Sequence, residues 1–167
     1  MKKLLFTRFE PLDYAANEAI NTLCANLTFS GAGIKKIMIT SSQAAEGKTL
    51  TAMNMMRTFA ALGKTVVYVS GDLRRSPIVQ AYGIRFEGED TVGITHYLAG
   101  MASAAEVVYQ TNIPGAYLVP VGRDVSNSLS LLSTPRLPAL LDYLASAFDI
   151  VLVDSPPIGV IIDAAEI

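Results

Sequence analysis

The segment Ser41-Ser42-Gln43-Ala44-Ala45-Glu46-Gly47-Lys48-Thr49 lies between the apolar run Ile37-Met38-Ile39 and a helix-like stretch. A strand, a loop and a helix start in that order make a phosphate cradle. Backbone N–H groups and the helix N-terminus face the anion, a lysine reaches the β and γ phosphates, and a hydroxyl binds magnesium. Lys48 is therefore the candidate phosphate ligand and Thr49 the candidate metal ligand, with Ser42, Gln43, Ala44, Ala45, Glu46 and Gly47 forming the loop around the phosphates. Two positions depart from the full pattern GxxxxGK[ST]. Ser42 stands where glycine belongs, and Ala45 fills a place commonly taken by glycine, where alanine disfavours a positive φ by about 1 kcal/mol. The plainer reading is a solvated helix start; the strand-to-helix setting favours the phosphate loop.

Two further acidic positions end apolar runs. Asp154 closes Ile150-Val151-Leu152-Val153, and in a parallel sheet that places it beside the phosphate loop, ready to hold magnesium directly or through water. Its alternative is a turn aspartate ahead of Pro156-Pro157. Asp72 follows Val66-Val67-Tyr68-Val69-Ser70-Gly71 and can reach the same crevice, with Arg74 and Arg75 close by to neutralise phosphate charge. Alone it would read as a salt-bridged loop.

The elements that must position these residues are legible in outline. The β-branched runs at 37–39, 66–69, 117–119 and 150–153 read as strands buried on both faces, and helix-like segments alternate with them. Helices are predicted over about 13–29, from Thr49 to Leu62 with Gly63 as stop, from Ile94 to Leu98, and after Thr134-Pro135. In the last of these Thr134 is the expected N-cap, and Leu137, Leu140, Leu141 and Leu144 share a face. Ser30-Gly31-Ala32-Gly33 is the turn into the first strand. The expectation is one α/β domain over residues 1–167, a doubly wound, mostly parallel sheet with ligands at the carboxyl ends of its strands, the N-terminal helix preceding a core from residue 35.

Composition narrows the function classes. The chain of 167 residues is 51% hydrophobic and carries 13 basic against 15 acidic residues, for a net charge of −2. That is ample apolar material for a core and no basic face for nucleic acid. One cysteine, Cys24, excludes an internal disulfide, and no His/Cys cluster exists to hold zinc. A reducing cytoplasmic location is the default. The opening MKKLLF has too short an apolar run for a signal peptide, and no stretch of about 18 apolar residues appears. His96 reads as a surface histidine, Cys24 as a small buried hydrophobe, and Met53, Met55 and Met56 as core filling. Asp163 is expected to cap the element after Pro156-Pro157 or to touch a neighbouring subunit.

The segments SSQAAEGKT, VVYVSGDLRR and FDIVLVDSPPIGVIIDA resemble, in order and spacing, the P-loop, A′ and Walker B segments of the bacterial tyrosine kinases of capsule and exopolysaccharide synthesis. The likeness runs from about Asn17 to Asp163 and separates the chain from partitioning ATPases, which lack the SNSLSLLSTPR-type segment. The resemblance implies a domain that binds ATP and Mg²⁺ and phosphorylates a tyrosine cluster in trans, activated by a membrane-embedded polysaccharide co-polymerase that recruits it to the inner face of the membrane. It also assigns roles. Lys48 would bind phosphate, Thr49 and Asp154 magnesium, and Asp72 the attacking hydroxyl or a metal shell, making Lys48, Asp72 and Asp154 the catalytic set.

Departures from the family pattern are specific. The A′ segment usually reads Asp-x-Asp, and here its first position is Ser70; the customary Pro-Gly of the loop is Ala44-Ala45; the Asn-Pro-x-Glu-Leu-Leu pattern appears as Asn127-Ser128-Leu129-Ser130-Leu131-Leu132. A second reading follows from these losses, a nucleotide-binding regulatory subunit that acts on its membrane partner or on an active kinase; a partitioning-type ATPase comes third. The interface arginines of the family's first helix are replaced by Asn21 and Cys24 after Glu18, so a monomer or weak dimer is expected. The seven tyrosines are scattered, and the family's fold continues past the Asp163 region with further strands and a tyrosine tail. The chain therefore reads as a truncated domain in which an exposed sheet edge is expected.

Overall fold

A computed structural model describes residues 1–30, 33–43, 45–73, 77–88 and 90–156, apart from the side chain of Leu129. The expected turn through Gly31-Ala32, the expected roles of Ala44 and Arg74, and that of Asp163 lie outside the described residues.

Val66–Ser70 (β3) and Ile150–Asp154 (β7) are buried at every position, as continuous β-branched runs require when helices cover both faces. Around them the sheet adds β1 (Lys2–Phe6), β2 (Lys36–Ile39), β4 (Ile84–Phe86), β5 (Tyr109–Gln110) and β6 (Ala116–Val119), in the order β2-β7-β3-β6-β5-β1-β4. β2, β7, β3 and β6 are mutually parallel, so their carboxyl ends open on one edge of the sheet. β5 runs antiparallel to β6, β1 parallel to β5, and β4 antiparallel to β1. The sheet is thus mostly parallel at the functional end and mixed at the other.

The side-chain alternation of a strand divides the core in two. From β3 and β7, Val66, Tyr68, Ile150 and Leu152 face α1 (Tyr14–Phe29) and α2 (Lys48–Ala61); Val67, Val69, Val151 and Val153 face α4 (Ile94–Leu98) and α6 (Arg136–Ala147). Packing outweighs propensity in α2. Met53, Met56 and Phe59 are fully buried, each worth about 1.5–3 kcal/mol. The helix also contains Thr49, Thr51, Asn54 and Thr58, each of which disfavours helix by only about 0.5 kcal/mol. The expected methionine core is present, and α1 begins behind Asp13, whose side chain accepts from the Ala16 amide at 2.8 Å.

Four local expectations need correction. The run at 37–39 is not buried on both faces, because among the described residues β2 stands at the edge of the sheet and its Met38 is 45% exposed. Thr134 does not cap α6. Its hydroxyl donates back to the Leu131 carbonyl at the end of α5 (Ser128–Leu132), and Pro135 takes the cap position without a side-chain bond. His96 is half-buried rather than on the surface, its Nδ1 accepting from the Gly93 amide at 3.2 Å. The sheet also recruits β1, ahead of α1, whose Leu4 and Phe6 are buried; the alternating apolar signal in MKKLLF is too short to announce a strand. No helix among the described residues is long and apolar enough to cross a membrane.

Candidate functional site

Parity along the two central strands sets the site. Ser70 pairs in register with Asp154, and both belong to the alternation that carries Tyr68 and Leu152 toward α2. The Asp154 side chain therefore emerges where α2 begins. Thr49 Oγ1 donates to Asp154 Oδ2 at 2.7 Å, and Lys48 Nζ stands 3.6 Å from Oδ1. Both partners of that ion pair are well covered, the lysine side chain at 14% exposure and the aspartate at 5%. Asp154 thus turns its carboxylate to Lys48 and Thr49, while its neighbour Ser155 bonds back across the sheet edge to the Ile39 carbonyl.

The loop between β2 and α2 is held by its own side chains. Glu46 Oε2 accepts from the amides of Ser42 at 3.0 Å and Gln43 at 3.2 Å, and the Ser42 hydroxyl donates to the same carboxylate. Ser41 Oγ closes the loop on the Gln43 carbonyl at 2.7 Å. Glu46 thereby ties the start of the loop back to the residue before Gly47. Gly47, with φ at 84°, precedes α2 and turns the chain so that the first amides of a 14-residue helix, which have no acceptor within the helix, face the loop. Ala45 holds a φ of 63°, the only non-glycine residue with positive φ among those described, so the loop keeps the expected strained shape without the glycine.

Asp154 also receives a bond that the sequence did not signal. Tyr68, fully buried on β3, donates its phenol O–H to Oδ2 at 2.5 Å. Burial, followed by the adjacent Asp154 charge, pushes the Tyr68 phenol well above its ordinary range, so it remains a donor across physiological pH. In VVYVS the tyrosine is indistinguishable from core filling. The only clue is that it lies two residues before Ser70, on the same face. Tyr82 is likewise pushed up, to about 12, first by burial and then by the Asp154 charge.

With Oδ2 bonded twice, Oδ1 of Asp154 is buried and has no hydrogen-bond partner among the described residues. An orphaned carboxylate oxygen next to a threonine hydroxyl suits a hard cation that takes oxygen ligands, so the residues present fit magnesium. Asp72 is half-buried on the loop leaving β3, which is tied alongside by the Gly71 amide donating to the Asp154 carbonyl at 2.8 Å. A groove of about 360 Å³ adjoins the site, bounded by Arg8, Glu10, Thr49, Leu50, Pro77 and Tyr82.

A family model described as an AAA domain matches residues 34–165. The tyrosine-protein kinase CpsD of Streptococcus pneumoniae serotype 4 is 35% identical over 150 residues, which cover 90% of this chain and 65% of that protein. The tyrosine-protein kinase CpsD of Streptococcus agalactiae is 30% identical over 166 residues, covering 95% of this chain and 71% of that one. The kinase domain of the Escherichia coli tyrosine kinase ETK superposes with a TM-score of 0.82 at 27% identity, over 90% of this chain and 58% of its own. The chain thus spans about two thirds of the length of these two CpsD proteins.

Proposed function

We propose that this chain, which belongs to the bacterial tyrosine-kinase family built on an AAA-type P-loop domain, binds MgATP and transfers the terminal phosphoryl group to tyrosine. The observation that carries the reading is Oδ1 of Asp154, a buried carboxylate oxygen that accepts no hydrogen bond among the described residues and faces a lysine at a helix N-terminus. Lys48 and the nest of Gly47 and the amides of Glu46 to Thr49 bind the phosphates, with Arg74 supplying further positive charge. Thr49 and Asp154 would hold the magnesium ion, with Asp72 in its outer shell; the ion, when bound, neutralises charge on the β and γ oxygens. Asp72 accepts the proton of the tyrosine hydroxyl as that oxygen takes the phosphoryl group and ADP leaves. The groove beside Thr49 gives room for the acceptor ring.

In the same reading, supported by the family resemblance, the protein acts in the cytoplasm in capsular or exopolysaccharide synthesis, with a membrane-embedded polysaccharide co-polymerase as its activator. One observation favours a second reading, a nucleotide-binding regulatory subunit: Ser70, in register with Asp154, supplies a hydroxyl where the family pattern has a carboxylate. Incubation with radiolabelled ATP, magnesium and a tyrosine-containing copolymer, followed by an anti-phosphotyrosine blot, separates the two. The kinase reading expects label in the wild type and none in Lys48→Met. Nucleotide binding without any phosphotyrosine would sink it in favour of the regulatory subunit.

A further inference from the structure

We propose that Tyr68 is a positioning residue for the metal site: its phenol anchors Oδ2 of Asp154 so that Oδ1 remains presented to the cation. The proposal rests on the reading of Thr49 and Asp154 as magnesium ligands. Its ground is the asymmetry of one carboxylate. Oδ2 accepts two O–H bonds, from Tyr68 at 2.5 Å and Thr49 at 2.7 Å, whereas Oδ1 accepts none among the described residues. The two donors differ in kind. Thr49 sits in the first turn of α2 and is itself a metal-ligand candidate, offering a lone pair to the cation while its proton stays on Oδ2. Tyr68 has no competing duty. It is fully buried on the adjacent strand, and its ring is fixed within the core shared by Met53, Met56 and Leu152.

Ser70 lies two residues beyond Tyr68 on β3 and pairs in register with Asp154 on β7, so Ser70, Tyr68 and Asp154 share one face of the sheet. Ser70 is the position at which the family pattern carries an acid. Here a neutral phenol does the orienting, and Asp154 is the carboxylate at the paired ends of β3 and β7. Outer-shell partners of this sort typically change metal affinity by about 10- to 100-fold when removed.

The test is Tyr68→Phe, which deletes one oxygen and preserves the ring. Binding of a fluorescent ADP is titrated in EDTA and again over a magnesium series, and folding is checked by circular dichroism and thermal unfolding. The metal-free ADP affinity should stay within about twofold of wild type, while the magnesium concentration giving half-maximal strengthening rises about 10-fold or more. An unchanged magnesium requirement overturns the proposal. So does an equal loss of ADP affinity with and without metal, which marks a purely structural role. In the background of Asp154→Asn, Tyr68→Phe should add nothing to the magnesium requirement, and an additive effect also overturns it. Should Tyr68→Phe fail to fold, Tyr68→Met removes the same hydroxyl with a flexible apolar side chain that adapts to the core, and it must raise the magnesium requirement in the same direction; no shift overturns the proposal. If wild-type ADP binding shows no magnesium dependence at all, the assignment of Thr49 and Asp154 as magnesium ligands falls first, and this inference with it.

Discussion

Ala45→Gly should stabilise the protein, although it shortens a side chain. Ala45 has a φ of 63° and an exposed side chain, so the substitution removes backbone strain and sacrifices almost no packing. An L-residue in the left-handed region costs about 1 kcal/mol or more relative to glycine, and relief of that strain exceeds the extra entropy glycine gives the unfolded chain. A gain of about 1 kcal/mol corresponds to a rise of about 2–4 °C in Tm for a domain of this size. Gly47→Ala is the mirror experiment. A Cβ at Gly47 meets nothing within 4 Å, so its penalty comes from φ alone, and the variant should lose about 1 kcal/mol or more. The strain at Ala45 is present before any ligand arrives. Relief should therefore appear in urea unfolding of the ligand-free protein, with the ADP Kd moving by less than about twofold, since a ligand responds only to what differs between its two states. Equal or lower stability for Ala45→Gly refutes the reasoning. A gain confined to nucleotide affinity refutes it too, because the free loop would then have relaxed.

Three other outcomes follow from geometry. Hydrogen bonds from the Thr65 amide and hydroxyl hold the Asp149 carboxyl below its ordinary range, so its contribution to stability is present above the unfolded carboxylate pKa of about 4 and is lost as pH falls through the lower folded value. Asp149→Asn should consequently be less stable at pH 7, with the difference shrinking in denaturation curves below pH 4; a constant difference down to pH 2 contradicts this. Burial pushes the Cys24 thiol up to about 11, so a thiol reagent should label it only at the rate of unfolding, and rapid labelling of native protein would show the thiol to be open. Asn21 accepts from Thr58 and Cys24 packs on the Met55 carbonyl, so both positions turn toward α2 and offer no charge to a neighbour. Light scattering at micromolar concentration should find a monomer or weak dimer, and a stable octamer would refute that.

Much of the candidate site was legible because a phosphate-loop pattern announces itself locally. The glycine, lysine and threonine at a strand-to-helix junction identify Lys48 and Thr49, and an acid at the end of an apolar strand identifies Asp154; the contacts at 2.7 and 3.6 Å join all three. Hidden from the sequence were features that depend on parity between strands distant in the chain. Tyr68 reads as core until β3 and β7 are placed in register, and Glu46 reads as one more loop residue until its carboxylate is seen on the Ser42 and Gln43 amides. The fold divides in the same way. β3 and β7 were clear from continuous apolar runs, whereas β1, β4 and β5, of five, three and two residues, are strands only because neighbours pair with them. Thr134 shows the limit of capping rules: a Thr-Pro pair predicts an N-cap, yet the adjacent α5 offered its hydroxyl a carbonyl first.

The central claim is that Lys48, Thr49 and Asp154 form a magnesium-nucleotide site, and calorimetric titration with ATP tests it most directly. Wild-type protein should show saturable one-to-one binding that strengthens with magnesium, and Lys48→Met should lose it while remaining folded. Folded wild-type protein that gives no binding heat at millimolar MgATP, or Lys48→Met protein that binds like wild type, would contradict the claim.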